Sequence, residues 1–213
     1  MLSMRYKKKA ITGAVVIMGF SGLVAQMLLL RELLIIFSGN ELSIGVILAN
    51  WLIVEAAGAY ILGTRAEKSS ATVETFVLIS ILFSLSLFLS VHAVRMTRLV
   101  LGFSIGEPLG IHTILYSSFL LLLPVSFLHG SLFTFSCTLI SQEKNGSGAS
   151  SIGKTYVLET IGTLIGGILW AWIILRYLHS FHTAVILGML NFLGCLFRSE
   201  EHTSELQSLL IIS

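Results

Sequence analysis

Aspartate is missing from this chain altogether, and charged residues of any kind make up only 11% of it. The first absence removes a residue type that most metal- and nucleotide-dependent enzymes use. The second excludes an ordinary soluble domain, in which about 25% of residues are charged. Cysteine is nearly absent too: Cys137 and Cys195 both lie in apolar runs without metal-like spacing, so they read as small buried hydrophobes and define no redox compartment. Two prolines stand against 19 glycines, and glycine is more frequent in membrane helices than in soluble ones. What fills the space is apolar. Hydrophobic residues account for 55% of the chain and mean hydropathy is +0.92, the composition of an all-α, polytopic membrane protein whose first partner is the lipid bilayer.

A crossing helix needs about 20 apolar residues at 1.5 Å each to span roughly 30 Å of hydrocarbon. Six stretches meet or approach that length: Ala10 to Leu30, Leu42 to Gly63, Thr75 to Val94, Gly110 to Ser141, Thr155 to Leu178 and the short Phe181 to Phe197. The fourth exceeds one crossing, and Pro124 and Gly130 are expected to kink it or to mark an interfacial part. The basic start "MRYKKK" followed by an apolar run and "LVA" has the outline of a signal peptide, but the run continues into "QMLLL" and Leu23 is large for a cleavage site. An uncleaved first span is the better reading. With the N-terminus inside, Arg5, Lys7, Lys8, Lys9, Arg65, Lys68, Lys144 and Lys154 fall on the inner side, against Arg31, Arg95, Arg98 and Arg176 near the outer. Eight against four sets a cytoplasmic N-terminus. The Gly/Ser-rich "SQEKNGSGASSIGK" reads as a flexible cytoplasmic connector and not as a phosphate cradle, because no strand precedes it.

Carboxylates inside a bilayer cost about 2.5 to 3.5 kcal/mol each on insertion scales, so each is a candidate site. Glu159 shares a helical face with Gly162, Gly166 and Trp170, and "GTLIG" is a close-packing motif that should lie against another helix. Two readings stand for Glu159, and equally for Glu55 in the second span: a paired group that fixes helix register, or a proton or cation site in a polar cavity. Arg31 and Glu32 are sequence neighbours, point about 100° apart and each need a partner elsewhere. Asn40 and Glu41 have a plainer use as a helix cap and a first-turn acid. His179 and His182 form an H-x2-H pair with no carboxylate or cysteine nearby, which is poor for a metal. No cofactor and no nucleic-acid partner are expected.

The segment Gly19 to Gly63, with Arg31-Glu32 and Gly39-Asn40-Glu41-Leu42, together with "GEPLG" from Gly106, "LLLLPVSFLHGSLF" and "KTYVLETIGTLIGG" from Lys154, resembles the membrane domain of fused spermidine synthase-like proteins. The resemblance covers most of residues 12 to 175. It implies an inner-membrane domain that precedes a cytosolic Rossmann-like domain transferring an aminopropyl group from decarboxylated S-adenosylmethionine to putrescine. That catalytic partner needs a Gly-rich nucleotide loop after a strand and carboxylates, typically aspartates, and none is in this sequence. The chain therefore reads as a truncated membrane domain without catalysis of its own, which anchors the enzyme or handles polyamines or another small solute. A self-contained small transporter or channel subunit, assembled as a homo-oligomer with its buried glutamates lining a path, is the competing class.

The end of the chain explains the truncation. "RSEEHTSELQS", Arg198 to Ser208, is similar to the translation of a widely used sequencing-library adapter, with Leu209 to Ile211 covering its barcode and Ile212-Ser213 the constant stretch beyond. Residues 1–197 are then the transmembrane domain and 198–213 a non-native tail. Without the tail the formal charge is 12 Lys+Arg minus 8 Glu, or +4. A long read of the source DNA across codon 197 should show the frame continuing into a Gly-rich, aspartate-bearing domain. A native stop soon after Phe197 would instead leave the membrane domain standing alone.

Overall fold

The computed structural model describes residues 2–37, 41–66, 72–102, 109–144 and 148–194. Among the described residues there is no strand, and the architecture is an all-α bundle. Its helices are α1 (Leu2–Phe37), α2 (Glu41–Ala66), α3 (Thr72–Leu101), α4 (Ile111–Lys144) and α5 (Gly148–Leu169). The α5 rod continues through a π-helical turn, Trp170–Ile174, into a closing turn, Leu175–Tyr177. A shorter apolar helix, Ser180–Gly194, follows and is called the terminal helix below.

Five of these rods are long and apolar enough to cross a bilayer, with spans of 25 to 32 residues. At 1.5 Å per residue even the shortest reaches about 38 Å, which exceeds the hydrocarbon thickness and is accommodated by tilt. Helices are required here because lipid offers no partner to an open N–H or C=O group. The terminal helix, 15 residues within the described part, reaches about 22 Å. The described residues thus supply five crossing-length helices and one shorter apolar one, where the sequence suggested six.

One sequence expectation needs correction. The segment taken for a flexible connector is largely helical: α4 runs to Lys144 and α5 begins at Gly148. Although half of its residues are Gly or Ser, the apolar run that follows lets α5 extend back to Gly148. α4 is one helix through Pro124 and Gly130 for 34 residues, and Gly130 packs against the main chain of α2.

The centre of the bundle is α1. Half of its membrane window is buried, against 22% for α5, and Leu28, Leu29 and Leu33 are fully enclosed with Phe83, Leu87, Leu122, Ile140 and Leu187 from its neighbours. Outward faces stay apolar, as Leu52, Tyr60, Leu89, Leu120, Leu164 and Trp172 show. That is the surface a lipid solvent asks for.

Two helix pairs approach backbone to backbone. Between α2 and α4, a Cβ placed on Gly58 would overlap the Phe127 carbonyl, and one on Gly130 would overlap the Glu55 carbonyl. Between α1 and α5, a Cβ on Gly19 would strike the Glu159 carbonyl and one on Gly162 the Val16 carbonyl. Small residues are how membrane helices gain van der Waals contact when lipid removes the hydrophobic driving force. Buried serines extend the same device on α4: Ser118, Ser126 and Ser131 donate back to the carbonyls of Ile114, Leu122 and Phe127 at 2.6 to 2.8 Å, leaving no orphaned hydroxyl.

Gly130→Ala should therefore lower stability by about 1 to 3 kcal/mol, the usual penalty of overpacking. Gly45→Ala is the control, since nothing lies within 4 Å of its Cβ position, and it should be neutral or slightly stabilising. Heat-induced loss of helical circular dichroism in detergent measures both. Equal midpoints for the two variants would refute the contact.

Candidate functional site

Glu55 on α2 and Glu159 on α5 lie within electrostatic reach of each other and of a histidine on α4. On α2, Trp51 and Glu55 are one turn apart, and the indole Nε1 donates to Glu55 Oε2 at 2.9 Å. From α4, His129 Nδ1 lies 2.6 Å from the other carboxylate oxygen, Oε1. Both oxygens of Glu55 are thereby engaged and its orientation is fixed. The imidazole is enclosed: the His129 side chain is 7% exposed, with Trp51 and Phe83 ring centroids 6.3 and 5.9 Å away.

The other imidazole nitrogen is different. His129 Nε2 is fully buried and has no hydrogen-bond partner. It faces Gly22 of α1, where any Cβ would collide with it, and the Met18 main chain is a hydrogen-bonding group for the same ring, although no contact at Nε2 has full hydrogen-bond geometry. Glu159, on α5, completes the group: the charges that act on its carboxyl are those of His129 and Glu55. Its main chain is held against Gly19. The result is a carboxylate, an imidazole and a second carboxyl gathered inside the bundle by α2, α4 and α5 around α1.

This arrangement can hold and pass a proton. When neutral, His129 donates Nδ1–H to Glu55 and keeps a lone pair at Nε2; when protonated, it donates from both nitrogens. A carboxylate bound to Nδ1 fixes the tautomer and leaves Nε2 as the working atom. Among the described residues no group of three or more His, Cys, Asp or Glu is placed to hold a metal ion.

Arg31 and Glu32 belong to a second cluster, nearer the ends of the helices. Glu32, 5% exposed, accepts from Arg95 Nε at 2.8 Å and Nη2 at 3.1 Å in a fork geometry and also from the Ser180 hydroxyl. Arg31 donates from Nη2 to the same Ser180 oxygen at 2.7 Å, and its guanidinium lies 5.8 Å from the Trp170 ring centroid. Each of the two neighbours thus finds its partner on another helix. Every contact ties α1, α3, α5 and the terminal helix together.

The remaining candidates divide simply. Gly162 and Gly166 face Val16 and Phe20 of α1 within the same chain, the Gly166 Cβ position lying 3.1 Å from the Phe20 carbonyl oxygen. His179 and His182 stack with ring centroids 6.0 Å apart. Glu41 opens α2 as a first-turn acid. Cys137 is a half-buried free thiol facing Thr155 and Glu159. Asn40, Cys195 and the tail 198–213 lie outside the described residues.

Sequence reasoning passed over His129 and Ser180 as site residues and used Arg95 only to set orientation. A lone histidine inside "LLLLPVSFLHGSLF" is a signal, because an ionisable side chain in a membrane run is costly wherever it sits. Its partner, 74 positions away, has no local signature. No protein-family model, curated protein or solved structure matches this chain.

The Glu32–Arg95 pair invites a double-mutant cycle with Glu32→Gln and Arg95→Gln. A coupling of about 1 to 3 kcal/mol is expected for charge-assisted groups in one network. Additive losses, measured by urea or thermal unfolding in micelles, would mean that the fork contributes nothing beyond two independent polar contacts.

Proposed function

We propose that this chain is the membrane domain of a spermidine synthase-like protein, and that it binds and passes protons at Glu55, His129 and Glu159 in handling a small cationic solute of the polyamine class. The observation that carries the proton site is the 2.6 Å contact between His129 and Glu55 combined with an unpartnered, buried Nε2 on the same ring. A pair kept only to fix helix register would be fully satisfied, because each buried polar group without a partner costs about 1 to 3 kcal/mol. Glu32 shows what such a satisfied cluster looks like in this protein. Retaining the open nitrogen beside a second carboxyl supports a group that must exchange a proton. The polyamine assignment rests on the sequence resemblance, and a diamine is also the chemistry that two carboxylates in an apolar bundle would attract. Aminopropyl transfer itself is assigned to a partner domain, since the sequence holds no nucleotide loop and no aspartate.

The full chain reconstituted in liposomes, with an internal pH dye and labelled putrescine outside, provides the test. Uptake should depend on an imposed proton gradient and fall at least about ten-fold in Glu159→Gln and His129→Asn, as general acid–base groups typically contribute 10²-fold or more. Gradient-independent or absent uptake in the parent chain, or unchanged uptake in correctly inserted Glu159→Gln, would leave the domain as an anchor.

A further inference from the structure

We propose that the cleft between α3 and the terminal helix is a binding site for one anionic phospholipid, with an acyl chain in its apolar length and the phosphate at its Arg95 end. The site is separate from the Glu55–His129–Glu159 group and stands whether or not that group moves protons.

Two facing stripes build the cleft. On α3, Ser84, Leu85 and Phe88 line it; on the terminal helix, Val185, Gly188 and Phe192 do, around a cavity of 260 Å3. Gly188 is the feature that opens it: a Cβ there would reach only Ser84 Cβ, at 3.8 Å, so a larger residue would project into the space. Both stripes follow helical spacing and continue past the cleft in one direction. On α3 the next positions of the same face are His92 and Arg95, and on the terminal helix the preceding one is Phe181. Phe181 marks where the character changes, with Phe88 at 5.8 Å and His92 at 6.4 Å between ring centroids and the Arg95 guanidinium 4.4 Å from its ring.

The polar end carries an excess of positive charge. Among the described residues, Arg31 and Arg95 both act on one carboxylate, that of Glu32, two cationic charges to one anionic. Arg95 gives Nε and Nη2 to Glu32 while its side chain remains 43% exposed. His92, exposed on the same α3 face, adds a ring donor beside the Phe181 ring that Arg95 covers. Arg95 lies two residues before the end of the apolar α3 span at Thr97, the part of a crossing helix that lies nearest the headgroups. From Ser84 to Arg95 the α3 stripe climbs about 16 Å at 1.5 Å per residue, a length over which an acyl chain can lie. An apolar cleft that ends in a basic, interfacial pocket fits an amphipathic anion, and basic pockets between membrane helices recognise phosphate headgroups.

Native mass spectrometry of the delipidated full chain tests this with dipalmitoyl phosphatidylglycerol, phosphatidylcholine of the same chains, and glycerol 3-phosphate. Phosphatidylglycerol should bind at one saturable site about ten-fold more tightly than phosphatidylcholine, given roughly 1 kcal/mol per basic residue near a lipid surface. Gly188→Leu, which fills the cleft, should remove that site. His92→Glu, at an exposed position, should erase the preference for phosphatidylglycerol while leaving phosphatidylcholine binding unchanged. Equal binding of the two lipids, an unaltered site in Gly188→Leu, or an unaltered preference in His92→Glu would each overturn the assignment. Displacement by glycerol 3-phosphate would overturn it in favour of a plain anion site. A disulfide-linked dimer of Gly188→Cys that forms in membranes and excludes the lipid would overturn it in favour of a second copy of the chain.

Discussion

Backbone contact through glycine is the constraint on which the interior depends. Gly130 on α4 lies against the main chain of Glu55, Gly19 on α1 lies against the main chain of Glu159, and Gly22 on α1 lies against the ring of His129. Each of the three residues that could exchange a proton is touched by a glycine. The order of cause runs from sequence to chemistry: absence of a Cβ lets helices approach, approach brings the carbonyls of one helix to the axis of the next, and the side chains beside those carbonyls then converge. With Ala at position 22 the imidazole would have no slot between α4 and α1. With Ala at 130 the Glu55 main chain would be pushed away from the helix that supplies its imidazole partner.

The two polar clusters illustrate opposite solutions to burying charge. Glu32 is surrounded by a forked guanidinium, a hydroxyl and a second arginine, and the pairing stitches four helices together. Removing water from such a group is costly, and saturation of its hydrogen bonds is what makes the burial tolerable. Glu55 and His129 also pair, yet the ring keeps one polar atom without a partner. The bundle returns Ser118, Ser126 and Ser131 of α4 to their own helix and sends Ser136 to Met18 Sδ on α1, while the Ser151 hydroxyl of α5, like His129 Nε2, is buried without a partner.

Much of the fold was legible in the sequence because the bilayer imposes length and hydropathy on each crossing segment. The all-α class and the first five apolar segments follow from that alone. Helix ends were less legible: α1 continues past Arg31 to Phe37, and α5 starts at Gly148, since polar residues near a membrane end do not break a helix. Within the site, Glu55 and Glu159 stand out because an intramembrane carboxylate is rare on energetic grounds. His129 does not stand out in the same way. Its meaning lies in a contact with Glu55 across 74 positions, and no period or spacing within a single helix encodes a partner on another. Arg95 illustrates the same limit, being a plain interfacial arginine until Glu32, 63 positions earlier, is placed beside it.

The position of α1 links these parts mechanically. On one side its Val16 and Gly19 are locked to Gly162 and Glu159 of α5, and on the other its Gly22 is filled by His129 of α4. Ten residues further along, about 15 Å at the helical rise, Glu32 fastens the same helix to α3 and, through Ser180, to the terminal helix. On the α1 side the space around Nε2 is walled by the main chain at Gly22, which no side-chain rotation moves. Access to His129 requires α1 to separate from α4, and a rigid α1 carrying α5 with it would move Glu159 in the same step. The polar groups of the interior are thus coupled through one helix, whose far end is held by the one fully saturated ionic cluster among the described residues.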